Sequence, residues 1–420
     1  MNISNFKRWL ENISKSRLTS LTLITIALVL PTFSKQFTIG LPILFVWATF
    51  AISYDIILGF CGIPSFGHAA PFGLGAFTAA ILLSHSYPLI VAILAGAIVG
   101  MIVNASMSLP CYRVKGIYYA ILTLAIAEMI HVLISNIAKT TVAITVGTTP
   151  ELISNISPWI FAILMIFLWL FSTYAYVKDI KNTRYGRVKT IKILVFAAYN
   201  LIILYGAYRY FENILLTLLW RRNIPYIELV RILIPLNRYY YTFTLMLLSY
   251  TFLYRVARSP LGTIFIAIRE NPERAEVIGY NVFKYTVLSF AISGFVAGIS
   301  GASYMICIST ATLEVLTVDK TFIALLGSVI GGLGTLIGPL FGGMLVGLLR
   351  DYLSKIVPSI HALFPVLTVQ QLQLLPSAIL GVIYIVIVML LPYGIFGTWY
   401  LKGTGVKRKI KMILTGRKWH

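Results

Sequence analysis

Ser259-Pro-Leu-Gly-Thr-Ile-Phe-Ile-Ala-Ile-Arg-Glu-Asn-Pro-Glu-Arg-Ala-Glu-Val-Ile-Gly-Tyr-Asn281 is a charged island between two apolar runs, one ending near Tyr254 and the next starting near Tyr285. It carries Arg269, Glu270, Glu273, Arg274 and Glu276. A stretch of this length between two membrane-length runs is expected to fold into its own helix on the water side. Pro272 disfavours helical geometry at the residue before it, so two short helices are expected, with Asn271 capping the second. Gly279 suits a helix C-terminus, where positive φ is needed. Ile264, Ile268 and Ala275 fall near one apolar side. Arg269, Glu270, Glu273 and Glu276 fall on the side offered to a partner. An ordered, charged loop between two spans points to contact with something soluble.

Composition supplies the setting. Hydrophobic residues make up 59% of the 420-residue chain and charged residues 11%, where a soluble domain carries roughly 25% charged residues. Apolar runs near the length needed to cross a hydrocarbon core of about 30 Å recur along the chain. They are continuous rather than alternating, which argues against a β-barrel. The fold class is therefore all-α: a polytopic integral membrane protein with about 10–12 transmembrane helices, read as one domain over 1–420. The expected spans are 18–34, 39–58, 68–84, 88–109, 116–136, 157–177, 191–208, 238–254, 284–306, 317–331, 334–353 and 374–392.

The net charge of +21 sits at the ends and between spans, as the positive-inside rule and anionic headgroups require, rather than in a nucleic-acid site. The N-terminal run from Leu18 lacks a small-residue cleavage site and reads as an uncleaved span. With both termini cytoplasmic, the tail 1–17, the basic loop 178–192, the charged loop 255–283 and the tail 402–420 all fall inside. Residues 209–237 disagree. They carry Arg209, Arg221, Arg222 and Arg231, yet the count puts them outside.

Two stretches break the helical pattern at membrane depth, Leu58 to Gly75 and Gly327 to Gly343. Each gathers glycines with at least one proline. Paired interruptions of this kind mark broken helices along a transport pathway, and small residues also permit close helix packing; the pattern fits both. Gly67, His68, Pro71, Gly332, Gly334, Gly338 and Pro339 are the candidates. Asp55, Glu128 and Asp319 are further ionisable residues at or near membrane depth, where charge is costly and functional candidacy is the default. Glu128 has His131 on the same helical face.

Catalytic signatures are missing from the sequence. There is no G-x-x-x-x-G-K-[ST] phosphate loop. Gly332-Leu-Gly-Thr-Leu-Ile-Gly338 has the wrong spacing for a dinucleotide loop. The histidines form no ligand cluster, and Cys61, Cys111 and Cys307 show no metal or disulfide spacing. No metal and no cofactor is expected in this chain.

Four motifs, in order, carry a resemblance. Gly62-Ile-Pro-Ser-Phe-Gly-His-Ala-Ala-Pro-Phe-Gly-Leu-Gly-Ala-Phe resembles the L-S-x-G-H-A-A-F-F-G-I-G-A-Y signature of LivM-type permeases. Leu109-Pro-Cys-Tyr-Arg-Val-Lys-Gly-Ile-Tyr-Tyr-Ala-Ile-Leu-Thr-Leu is similar to that family's L-P-x-L-R-L-R-G-x-Y-x-A-I-x-T-L. The island resembles its A-I-R-E-N-x-x-x-A-x-x-x-G-I-N loop. Leu326 to Gly342 is similar to V-x-G-G-x-G-T/S-x-x-G-P-x-x-G. LivM-type permeases are membrane subunits of ATP-binding-cassette (ABC) importers for branched-chain amino acids and related substrates, including urea and short amides.

The resemblance implies a cell-membrane permease with a second permease subunit, two ATPase subunits holding ATP-Mg, and an extracytoplasmic solute-binding protein. It implies that Ile268, Arg269, Glu270, Glu273, Arg274, Ala275 and Gly279 belong to a cytoplasmic coupling helix gripped by the ATPase. The sequence departs from the family at Thr145-Val-Gly-Thr-Thr-Pro-Glu, which keeps little of a T-G-G-x-x-G-L segment, and in about 60 extra residues spanning Arg184 to Arg238. If that segment helps to admit substrate, its loss leaves room for a solute other than a branched-chain amino acid. The rival reading is an ion- or proton-coupled secondary carrier working without an ATPase.

Overall fold

In lipid a chain must satisfy its own backbone groups, and helices do so locally. The computed structural model describes residues 35–114, 116–137, 143–145 and 226–363, with isolated positions at 173, 200 and between 379 and 395. Helix α1, Lys35–Asp55, passes into a π-turn at Ile56–Phe60. Helices α2, Ala69–Ser84, and α3, Leu89–Ser108, follow, then a 3-10 turn at Leu109–Tyr112, α4 at Ile117–Ile137 and strand β1 at Ala143–Thr145. Later come α5, Tyr226–Ala257, α6, Pro260–Glu270, α7, Pro272–Val277, and α8, Val282–Ile308. Strand β2, Thr310–Thr312, a 3-10 turn at Leu313–Leu316, α9 at Val318–Gly331 and α10 at Ile337–Leu363 complete the described order. The two strands form one antiparallel ribbon, Ala143 opposite Thr312 and Thr145 opposite Thr310. An all-α polytopic membrane fold is what the sequence led one to expect.

Four segments are long and apolar enough to cross a membrane among the described residues: Ile39–Phe60, Leu89–Ser108, Ile117–Asn136 and Val282–Ile308. The expected spans 18–34, 157–177, 191–208 and 374–392, the two tails and the basic loop 178–192 lie outside the described residues, isolated positions apart. The chain divides into two compact units, residues 1–42 with 149–241, and residues 43–148 with 242–420. The sites below belong to the second.

In that unit α8 runs along α2 and α3, and the approach is close because glycines meet at the seam. A Cβ on Gly298 would strike the Gly96 carbonyl and stand 2.9 Å from Ala97 Cα, while one on Gly75 would stand 2.7 Å from Gly298 Cα. Asn104 Nδ2 crosses the α3–α8 seam to Phe290 O at 2.8 Å, and α8 is also bonded to α1, where Ser293 Oγ donates to Ser53 O at 2.6 Å and Ser300 Oγ to Val46 O at 2.8 Å. Helices lack a hydrophobic drive to associate in lipid, so packing and such bonds hold the bundle.

Three boundaries differ from the sequence reading. Helix α5 begins at Tyr226 rather than 238 and contains Pro235. Arg231 therefore sits in a helix and not in the anomalous loop 209–237; Glu228 and Arg231 interrupt the apolar run without interrupting the backbone. Helix α9 has 14 residues, about 21 Å at 1.5 Å per residue, and is too short to be the crossing expected at 317–331. Helix α10 starts at Ile337 and continues to Leu363, ten residues past the expected end at 353.

The glycine seam predicts an asymmetry. Gly298→Ala should destabilise the unit by about 1–3 kcal/mol, the usual range for overpacking. Gly40→Ala, where nothing lies within 4 Å of the new Cβ, should be neutral or slightly stabilising. Thermal unfolding of the two variants in detergent checks this; equal melting temperatures would contradict the seam.

Candidate functional site: a charged loop seated on two helix breaks

The first break spans residues 61–68, after the π-turn in which Cys61 N–H donates to Ile56 O at 3.1 Å. Its backbone is held by side chains from elsewhere. Tyr54 Oη donates to Ser65 O at 2.8 Å, Phe66 N–H to Thr123 Oγ1 at 3.0 Å, and Ala69 N–H to Thr321 Oγ1 at 2.8 Å. Gly67 has no room for a side chain, because a Cβ would collide with Thr123 O and Met107 Cε. Pro71 does not break anything. It lies in the first turn of α2, where a missing N–H leaves no intrahelical bond unmade.

The second break is the five residues 332–336 between α9 and α10. Gly332, Gly334 and Leu336 all have positive φ, at 113°, 75° and 57°. Thr335 Oγ1 donates to Gly332 O at 2.8 Å and accepts from Gly338 N–H at 3.0 Å. Gly338 faces the carbonyl of Gly331 across the helix pair. Pro339, like Pro71, is the third residue of the helix that leaves the break. Thus the two interruptions share a plan: a non-helical turn, then a helix with proline in its first turn.

Asp55 ties one break to the other. Its Oδ1 accepts from Gly334 N–H at 2.7 Å and its Oδ2 from Leu336 N–H at 3.2 Å. The charged loop lies on the same place. Helix α6 ends at Glu270 and α7 starts at Pro272, and Asn271 Oδ1 accepts from Arg274 N–H at 3.0 Å as the cap. Gly279 takes φ +100°. The two short helices, their cap and the terminating glycine match the expectation. Ile264, Ile268 and Ala275 pack on Cys61 beside Ile63, Val282 and Tyr285. Phe265 joins Phe60 of the π-turn and Leu336 of the second break in one apolar cluster. Ile268 and Ala275 therefore anchor the loop and are not its outward surface.

Arg269 is exposed, as expected, and is also bonded inward. Its Nη1 donates to Gly59 O at 2.7 Å, while Nη2 donates to Glu270 Oε1 at 2.8 Å. Its stem lies on Gly62, where a Cβ would meet Arg269 Cβ at 3.1 Å and Cα at 3.3 Å. Glu273, Arg274 and Glu276 remain exposed. So do two residues the sequence reading passed over, Val277 at 88% and Ile278 at 74% exposure. The signal was present as an apolar pair beside acidic residues, ahead of a turn glycine.

Other candidates are placed elsewhere. His68 is fully buried, stacks on Phe50 with centroids 5.2 Å apart and meets Ser53 Oγ through Nε2 at 2.9 Å. It is packed as core and presents no surface to a passing solute. Glu128 lies on the exposed face of α4, 3.4 Å from His131 Nδ1, and is not brought to either break. At the end of α8 remote from the charged loop, Lys320 pairs with Glu314 at 2.6 Å and Arg350 with Asp319 at 2.6 Å. The hydrogen bond from Lys320 holds the Glu314 carboxyl below its usual range. These pairs join residues 6 and 31 apart in sequence, so periodicity gave no sign of the second.

Residues 37–391 match the family described as "Branched-chain amino acid transport system / permease component", and the chain belongs to that family. It is 23% identical to the LivM permease protein of the high-affinity branched-chain amino acid transport system of Salmonella typhimurium over 349 residues, 80% of this chain and 68% of the relative. It is 27% identical to a probable branched-chain amino acid transport permease protein LivH of Methanocaldococcus jannaschii over 163 residues, 38% of this chain and 48% of the relative. A 73-residue stretch is 40% identical to a putative glucose ABC transporter permease protein, TsgC13, of Haloferax volcanii, covering 17% of this chain and 21% of that one. The match to LivH thus spans about half of that relative. No solved structure matches the chain.

Two expectations follow. Asn271→Ala should loosen α7 by about 0.5–2 kcal/mol, the worth of an N-cap, read as faster amide exchange at Arg274 with α8 unchanged. Unaltered exchange would remove the cap from the account. Because the Glu314 carboxyl sits below its ordinary value, its contribution is complete above the unfolded glutamate value and is shed as pH falls through the folded one. Melting temperature should therefore drop on acidification through that range more in the wild type than in Glu314→Gln; parallel curves would contradict it.

Proposed function

We propose that the whole chain acts as a single permease domain, the membrane subunit of an ABC importer that moves a small polar solute, such as a branched-chain amino acid, into the cytoplasm. Its partners are a second permease subunit, two ATPase subunits that bind ATP-Mg, and an extracytoplasmic solute-binding protein. The setting is the cell membrane, with both termini and the loop 255–283 cytoplasmic. The chain itself carries no catalytic role in this reading, since hydrolysis belongs to the ATPase subunits.

One observation carries it. The loop has two faces with different jobs: Ile264, Ile268 and Ala275 are buried on the first break, while Glu273, Arg274, Glu276, Val277 and Ile278 project from the body. An exposed apolar pair rimmed by charge marks a protein contact. Family membership and the relatives' printed names support importer chemistry for the class.

Purification of the tagged chain from its source membranes should bring down an ATPase, and the complex in vesicles should take up solute only with ATP. Replacing Glu273 and Arg274 by alanine should lower both ATPase retention and uptake several-fold while leaving the melting temperature unchanged. Uptake by the purified chain without nucleotide would establish the secondary carrier instead. Full ATP-driven uptake by the double variant would place the motor contact elsewhere.

A further inference from the structure

We propose that Arg269 and Asp55 form a transmission junction: Arg269 carries displacement of the charged loop into the first break, and Asp55 passes it to the second. The proposal rests on the reading of 255–283 as the ATPase-facing loop and assigns two residues that do not themselves meet the ATPase.

The groups touch in sequence. Arg269 Nη1 donates to Gly59 O at 2.7 Å, at the π-turn. Asp55 lies one turn before Gly59, at the spacing that puts both on one helical face. Its two oxygens hold Gly334 and Leu336 N–H at 2.7 and 3.2 Å. No side chain fits between the members. A Cβ on Gly59 would overlap Asp55 Oδ1 and stand 2.5 Å from Gly334 N, and one on Gly334 would stand 3.3 Å from Gly59 O and 3.4 Å from Arg269 Nη1. Glu270 holds the opposite edge of the guanidinium, so the fork is fixed on both sides. A rigid planar fork transmits direction as well as force, which an ammonium does not.

Packing supports the same route. Phe265, from the loop, shares a cluster with Phe60 and Leu336, one from each side of the junction. The breaks themselves are short turns between helices, the kind of site where a few residues absorb a hinge rotation. A loop bonded only to lipid headgroups, or only to its own flanking helices, would have no hold on the first break. Here Arg269 bonds the π-turn that leads into it, and Asp55, at the start of that turn, bonds two amides of the second break.

The test uses the reconstituted complex with four readouts: ATPase retention, ATP hydrolysis, uptake per ATP, and amide exchange at the second break. Arg269→Ala should retain the ATPase and hydrolyse ATP, with uptake per ATP reduced roughly tenfold, within the ordinary span of coupling between sites. Arg269→Lys keeps a single point donor and should recover part of the ratio. Asp55→Asn keeps one acceptor oxygen and should be intermediate; the pair Arg269→Lys and Asp55→Asn serves if Arg269→Ala fails to accumulate. The combination of both changes should be no worse than the more damaging single one, because the two act as a unit. Amide exchange at Gly334 and Leu336 should quicken in Arg269→Ala, although Arg269 bonds neither, a change that a purely local staple would not cause. A wild-type ratio in Arg269→Ala, or unchanged exchange at those two amides, overturns the junction while the importer reading stands. Absence of ATP-driven uptake in the wild-type complex overturns both.

Discussion

Backbone groups freed by a broken helix at membrane depth have no water to turn to, and each one left unsatisfied costs several kcal/mol. The unit built from residues 43–148 and 242–420 meets this constraint with side chains sent across the bundle. Asp55 takes two amides of the second break, Arg269 serves the Gly59 carbonyl, and Tyr54, Thr123 and Thr321 serve the first. Tyr54 and Asp55 are neighbours and Thr123, Arg269 and Thr321 come from three further stretches of chain, so the breaks are stable only when the surrounding helices are assembled. The arrangement makes the interruptions part of the tertiary fold rather than defects within single helices.

Close packing follows from the same requirement. A hydroxyl can reach a carbonyl on the next helix only if the helices are near, and glycines at the α2, α3 and α8 seams provide that nearness. The Asn104 amide shows the same need: it donates from α3 to the Phe290 carbonyl of α8, where Gly294 and Gly100 bring the two helices together. At the α9–α10 pair the glycines face one another, Gly327 against Gly343 and Gly331 against Gly338. The glycine-rich stretch 327–343 therefore serves in two ways, with a turn at its centre and packing surfaces on its flanks. The sequence held both readings open because composition is the same for either.

Local chemistry was legible and placement was not. Asn271, Pro272 and Gly279 announced two helices, a cap and a terminator, since each acts through its immediate neighbours. The apolar runs gave the all-α membrane class for the same reason. Arg269 looked like its charged neighbours because its partner, Gly59, lies 210 residues away and leaves no periodic trace. His68 looked like a pathway residue because it stands among glycines, and only the ring of Phe50 above it shows it to be core. Pro71 and Pro339 suggested breaks, yet each belongs to the first turn of the following helix, one place where proline costs a helix little. Glu228 and Arg231 hid the start of α5 because hydropathy weighs charge, while the backbone near a helix end tolerates it.

What remains is the relation between the two faces of the charged loop. Its inner face is fastened by a guanidinium and by apolar side chains to turns that join four helices: α1 to α2 through the first break, and α9 to α10 through the second. Its outer face carries charges and two exposed apolar side chains, Val277 and Ile278. A load applied to the outer face has few soft elements through which to dissipate before reaching those turns, because the loop consists of two short helices, the second capped by Asn271, and not of free chain. Stiffness at the loop and turns at the breaks is the division of mechanical roles that rigid-body switching requires. In this fold the stiff part and the turning parts meet at Gly59, where the carbonyl leaves a π-turn and finds Arg269.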